Sequence, residues 1–395
     1  MRNRFGTLLL FGYHMQSSRS TLLDLIRIQG AIVCCFFVVG LSLGALPLYI
    51  SKDLAASDTI VGVVIGSQFI ASLVSRIFVG QLLSTIGVRR CVMTSLIGLS
   101  LYGLILGTTN FMSSGTITIL IVARLMQGLA VGVLTTGAIM WAIHKLGESS
   151  TARVLSMTGI SIYGAVACGA PIGILLFTYV GLGGVALCIV ILAIASALSL
   201  LSVENSQAPT NKKAAGKAVL AKVALPGSIL FLHGVGFVSI EAFISLYFSV
   251  SGWSAVTLAL SLFGISFVVV RLVVGHLLQG QHLARLVMMS LSVQAIGLVS
   301  LAFAPTQYLA LLCVAVIGGS CSLTFPALGA IAAGRCAVHE RGTAMGFYSG
   351  FQDASYAVTA PVIGMAIHQF GYSTGFILAG ACALLGLLLL SKIHR

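Results

Sequence analysis

Charge is what this sequence lacks most. Only 7% of its 395 residues are charged, and Asp and Glu together number 8, whereas a soluble globular chain carries roughly a quarter. Water is therefore excluded as the main solvent. The signatures of resident chemistry are missing too. His339-Glu340-Arg341 lacks the second histidine of a zinc-binding helix, the 9 cysteines show no metal-ligand spacing, and no Gly-Lys-Ser/Thr phosphate loop occurs. Neither a metal nor a cofactor nor a built-in ATPase is expected. Cys34, Cys35 and most other cysteines fall inside apolar stretches, where a small thiol packs as a hydrophobe. The leader also lacks a small-residue cleavage site. It is apolar only from Thr7 to Phe11 and polar from Tyr13 to Arg27, so it reads as a cytoplasmic tail, with Met15 as an alternative start.

What is present is apolar length. Hydrophobic residues make up 58% of the chain, in stretches of about twenty, as a hydrocarbon core roughly 30 Å thick requires of a helix. Twelve such spans are expected, at 29–50, 59–83, 91–109, 116–141, 155–178, 181–202, 225–250, 256–278, 286–304, 308–332, 343–368 and 373–391. The runs are too long for barrel strands and do not alternate with period two, and backbone groups in lipid must pair internally. The expectation is an all-α membrane protein. The net charge of +13 is a topology signal rather than a nucleic-acid footprint. With the amino terminus inside, cytoplasmic segments hold Arg27, Arg89, Arg90, Lys145, Lys212, Lys213, Arg285, Arg341 and several more, while outer loops hold only Lys52. Both termini are then cytoplasmic, and short loops without a large outer domain point to a bacterial inner membrane.

The one interdomain linker, 204–222, is rich in Asn, Gln, Pro, Thr, Lys and Ala. It divides the chain into a tail at 1–28, a six-helix bundle at 29–203 and a second at 223–395. The halves repeat. Arg76-Ile-Phe-Val-Gly80-Gln-Leu-Leu83 ends the second span as Arg271-Leu-Val-Val-Gly275-His-Leu-Leu278 ends the eighth, and Ala170-Pro171 in the fifth matches Ala360-Pro361 in the eleventh. Two six-helix repeats around an axis normal to the membrane, with a central site between them, is the architecture such duplication produces.

The loop Gly80-Gln-Leu-Leu-Ser84-Thr-Ile-Gly87-Val-Arg89-Arg90 resembles the signature loop of the major facilitator superfamily, with Ser84 where the family usually has Asp. Arg124-Leu-Met-Gln127-Gly128 resembles its Arg-x-x-Gln-Gly motif, and Gly169-Ala-Pro171-Ile-Gly173 resembles the Gly-Pro motif of exporters. Gly66-Ser-Gln68-Phe, Gly234-Val-Gly236-Phe, Phe325-Pro326-Ala-Leu-Gly329, Arg341-Gly-Thr-Ala-Met-Gly-Phe-Tyr348 and Phe351-Gln-Asp353 are similar to the YhhS/YfcJ-type, arabinose-efflux-like branch. The resemblance covers the chain from the first span onward. It implies the major facilitator fold and proton-driven transport, most often export, of a small organic molecule such as a sugar, drug or metallophore. It does not single out one substrate. A monomer in the lipid bilayer is expected, with protons and a small-molecule substrate as partners and no nucleic acid. Uptake symport, a transporter-derived sensor and a membrane-embedded enzyme are the competing readings.

Five charges fall within the spans: Arg76, Arg124, Glu241, Arg271 and Asp353. Each costs at least about 2.5 kcal/mol at the bilayer centre, so each should face the interior, water or a partner. Carboxylates that tolerate both charge states are natural proton carriers, which makes Glu241 and Asp353 coupling candidates. Arg124 joins them, either binding substrate through its forked donors or pairing alternately with an acid. Static interhelical bonds are the alternative for all three. Gln68, Ser72 and Arg76 share one face of the second span, and Ser349, Asp353 and Tyr356 one face of the eleventh. Gln68, Ser72, Gln127, His233, Ser349 and Tyr356 are the cavity candidates, with interhelical packing as the other reading of each. Gly80, Gly87, Arg89, Arg90, Arg76, Arg271 and Pro171 are read as gating positions. Pro47, Pro171, Pro326 and Pro361 are read as kinks or helix ends.

Overall fold

The computed structural model describes residues 3–109, 114–147, 150–204, 216–279, 282–337 and 340–392, excepting the side chains of 3–21, 151–153, 155–156 and 279. Among these the chain is helical almost throughout: α1 (Asn3–Leu48, continued by a π-helical turn at Tyr49–Asp53), α2 (Asp58–Ile86), α3 (Val88–Thr108), α4 (Thr116–Leu146), α5 (Thr151–Leu200), α6 (Gly216–Val250), α7 (Val256–Val274), α8 (Leu283–Ala302), α9 (Gln307–Gly334), α10 (Arg341–Phe370) and α11 (Tyr372–Leu390).

Eleven helices carry the twelve expected spans, because α5 contains two. Its helical path is broken at Gly181, where φ is 75° and ψ −175°, a combination that only glycine adopts cheaply. The repeat shows the same device. Gly371, with φ 84° and ψ 168°, separates α10 from α11 and follows Pro361 at the distance at which Gly181 follows Pro171. Of the two readings of Pro171 and Pro361, kinks or helix ends, the second does not hold: both lie within continuous helix, and the breaks come later, at the glycines.

Among the described residues ten helices are long and apolar enough to cross a membrane. The exception is α10, whose polar residues Gln352, Asp353, Ser355 and Thr359 lower its hydropathy; it packs against α2 and α6 and turns Val358, Val362 and Met365 outward. Lipid-facing positions are apolar, as at Ile77, Leu187, Leu272 and Leu388, the surface a bilayer requires. The boundary of the second half also differs from the expectation. Helix α6 starts at Gly216, inside the stretch read as linker, so Lys217 and Lys222 extend the helix below the span.

Within the first half α1 lies on α5 and α4 on α2 and α3; within the second, α9 lies on α7 and α8, and α11 on α6 and α8. Two seams join the halves, α2 against α10 and α5 against α7, with α1 and α6 meeting between them. These three contacts frame the centre of the molecule.

Candidate functional site

The α2–α10 seam unites three residues named from sequence. Arg76 Nε donates to Asp353 Oδ2 at 2.6 Å, and Ser72 Oγ donates to the same oxygen at 3.2 Å. One helical turn separates Ser72 from Arg76, so a single face of α2 presents both to the acid. This ion pair joins the halves. Lys145–Asp24 and Lys222–Glu340, both 2.7 Å, each stay within one half. Beyond Arg76 and Asp353, toward the basic end of the bundle, the seam loosens: a Cβ added at Gly80, Gly342 or Gly346 meets nothing within 4 Å. Ser349 is half-buried there, one turn before Asp353. At the opposite end Tyr372 Oη donates to Asp58 Oδ1 at 2.9 Å, and Gly364 abuts the Asp58 carbonyl, so the halves are closed on that side.

Between the seams lies a small cavity walled by Leu43 of α1, Tyr163 of α5, Phe237 and Glu241 of α6, and Phe263 and Phe267 of α7. In this conformation it has room for about one water molecule. Glu241 is 5% exposed and has no hydrogen-bond or ion-pair partner among the described residues. The rings support one another: Tyr163 on Phe267 at 4.2 Å between centroids, Phe237 edge-on to Phe263, and Phe237 stacked on Tyr356 at 5.4 Å. Gln352 Nε2 donates to Tyr356 Oη at 2.7 Å and across the halves to Tyr163 Oη at 3.2 Å.

Arg124 is fully buried in the first half and lies within electrostatic reach of Glu241. Its Nη1 donates to Gln127 Oε1 at 2.7 Å, its Nη2 to the Ile65 carbonyl at 3.2 Å and its Nε to the Val64 carbonyl at 3.4 Å. Gln127 Nε2 in turn donates to Ser42 Oγ, which bonds Tyr102 Oη at 2.7 Å. The guanidinium is thus pinned by neutral oxygens, with no contacting acid among the described residues. Gln68 is 1% exposed, and its Oε1 has no hydrogen-bond partner among the described residues.

The sequence model of the Major Facilitator Superfamily matches residues 30–282 and 282–394. The chain belongs to that superfamily. An uncharacterized MFS-type transporter of Salmonella typhimurium (strain LT2) is 34% identical over 373 residues, spanning 94% of this chain and 96% of its own. One from Burkholderia pseudomallei (strain 1106a) is 31% identical over 385 residues, spanning 96% and 94%. Among solved structures, a D-xylose-proton symporter superposes with a TM-score of 0.79 at 14% identity, covering 94% of this chain and 97% of its own. The nucleoside transporter NupG gives 0.71 at 14%, covering 94% and 99%. These likenesses establish a multi-pass membrane transporter fold, and the family is one of transporters, not enzymes.

The superfamily motifs acquire structural reasons here. In Arg-x-x-Gln-Gly, Arg124 and Gln127 tie α4 to α2 and α1, and Gly128 lets α4 touch α2, since a Cβ there would overlap the Gln68 carbonyl oxygen. In the signature loop Gly87 (φ 84°) makes the turn from α2 to α3, and Arg89 Nη2 donates to the Leu201 carbonyl at the end of α5. Arg90 is exposed, and Ser84 bonds its own helix at the Gln81 carbonyl. Arg271 donates to the Ser322 carbonyl at 2.9 Å. Repeat register sets Arg271 and Tyr163 in the α5–α7 seam where Arg76 and Asp353 stand in the other, so the acid of one seam is a phenol in its counterpart. His233 is placed away from the cavity wall: its Nδ1 pairs with Gln294 Oε1 at 2.7 Å, while Gln294 Nε2 donates to the His233 carbonyl at 3.0 Å. Sequence reasoning missed Tyr163, Phe237, Phe263, Phe267 and Gln352. For three of them the signal was four-residue spacing from a singled-out charge, Phe237 to Glu241 and Phe263 through Phe267 to Arg271.

Proposed function

We propose that this chain is a proton-coupled secondary transporter of the YhhS/YfcJ-type, arabinose-efflux-like branch. It exports a small organic molecule across a cell inner membrane by alternating access, as a monomer with both termini in the cytoplasm. The observation that carries this reading is Glu241, a carboxylate in the wall of the cavity between the two halves with no contacting partner among the described residues. No hydrogen bond from them fixes it in one protonation state, and it stands between the two halves, where either side can reach it in turn. Proton carriage needs both. Rocking of the halves about the centre exposes Glu241 first to one side and then to the other. Asp353, held by Arg76 and Ser72, couples the α2–α10 seam to the same motion as its gate contact.

The test is proton movement in sealed liposomes containing the purified chain, read by an interior pH dye while sugars, cationic drugs and metal-chelating metabolites are added in turn. Substrate-dependent proton flux that Glu241→Gln abolishes is the expected result, with opposed directions marking antiport and parallel directions uptake symport. Full flux in Glu241→Gln, Asp353→Asn and their combination rejects the assignment.

A further inference from the structure

We infer that the substrate is an apolar organic monocation, received by the aromatic wall of the central cavity and by the Glu241 carboxylate, and exchanged there for the proton. The inference rests on the reading of Glu241 as proton carrier and adds the class of molecule that displaces the proton.

The wall is chemically one-sided. Tyr163, Phe237, Phe263 and Phe267 offer π-faces and ring edges, Leu43 adds apolar surface, and Glu241 brings the one acidic group. A sugar or nucleoside presents several hydroxyl groups, each needing a partner once dry, and each unpaired one costs about 1–3 kcal/mol. This wall has too few polar atoms to satisfy them. A cation with apolar substituents makes no such demand, and aromatic faces attract it electrostatically, most strongly when water is excluded. Its charge answers the carboxylate that no protein donor contacts. The wall is also built from both halves, α1 and α5 on one side and α6 and α7 on the other, so parting them enlarges this cavity around the substrate.

Exchange follows from charge. The protonated carboxyl loses its proton as the cation arrives, and the ion pair so formed is neutral, like the carboxyl it replaces. The ionisable groups within reach of Glu241 are Arg124 from α4, Tyr163 from α5, Cys321 from α9 and Tyr356 from α10; α1 and α7 present none in the wall. Among them Glu241 is the one carboxylic acid. One proton therefore leaves per cation, and the exchange is electroneutral.

The experiment measures binding of radiolabelled tetraphenylphosphonium to the full chain, folded by its thermal transition, at neutral and mildly acid pH in weak buffer, with proton release recorded. Uncharged triphenylphosphine oxide is the competitor. The expected result is saturable binding with one proton released per cation, weakening on acidification by up to about tenfold per pH unit, and a competitor at least about 30-fold weaker, the equivalent of one desolvated charge contact. Glu241→Gln loses the proton release. Binding without proton release, equal competition by the oxide, or no saturable binding overturns the inference. If sugars or nucleosides drive proton flux in the liposomes while the cation neither binds nor moves protons, the cation class falls and the proton-coupled transporter stands. If the cation binds with proton release but no solute drives flux, the site stands and the transport reading falls.

Discussion

Asp353→Asn removes the charge that holds the α2–α10 seam. At 2.6 Å two unit charges attract by about 6 kcal/mol at an effective dielectric of ~20. The Arg76 side chain is 27% exposed and regains hydration when released, and the introduced amide keeps part of the hydrogen bond. The net loss is about 2 kcal/mol, within the range of a charge-assisted hydrogen bond. Because the pair joins the halves next to the end where the seam loosens, that energy favours the closed arrangement over one parted at the basic end. Its removal shifts the ratio of the two by about 30-fold toward the parted one. Spin labels at Ser84→Cys and Gly342→Cys, both exposed, in a cysteine-free background report the separation of α2 and α10. Pulsed electron-electron double resonance should show the longer distance gaining population in Asp353→Asn and returning toward wild type when Arg76→Asp is combined with Asp353→Arg. An unchanged distance distribution in a folded Asp353→Asn protein refutes the reasoning, as does a shift of equal size from Ser72→Ala, whose hydroxyl contributes only a 3.2 Å contact.

Arg124→Lys retains charge but loses the fork that reaches Gln127 and the Ile65 carbonyl together, so thermal stability should fall by about 1–3 kcal/mol and liposome flux should drop to a small fraction of wild type; unaltered flux argues against a role for the planar group. Gly128→Val should prevent recovery of folded protein from membranes, because its Cβ overlaps the Gln68 carbonyl oxygen. Gly80→Ala, at a helical site with open space, should raise stability by about 0.5–1 kcal/mol, and a loss of flux there identifies flexibility at Gly80 as part of gating. Gln294→Leu strands the His233 ring and should cost about 1–3 kcal/mol in thermal unfolding while leaving proton flux in place; abolished flux in a stable variant would move His233 into the transport pathway.

The spans were legible because the bilayer leaves so few choices: a run of about twenty apolar residues, or of polar residues on one face only, becomes a helix. Span α10 was found among the apolar stretches, with Ser349, Asp353 and Tyr356 as a polar stripe on one of its faces. The pairing of Asp353 with Arg76 was not legible, although both were singled out, because contact between helices far apart in sequence depends on how each is rotated about its axis. The aromatic wall was hidden for the same reason. Phe263 and Phe267 share a face with Arg271, yet α7 also turns Ile265 and Leu272 to lipid, and composition alone does not say which face looks inward. His233 and Gln127 illustrate the converse: polar residues within spans that suggested a cavity are occupied by Gln294 and by Arg124 and Ser42.

The replacement of an acid by a phenol between the two seams has a mechanical consequence. Electrostatic attraction in the α2–α10 seam acts along one short line and fades only gradually as the charges part, whereas rings in the α5–α7 seam can slip past one another while keeping most of their contact. One edge of the molecule is thus bolted and the other lubricated. For the proposed rocking of the halves about the centre, the bolt, not the rings, would set how often the α2–α10 edge opens.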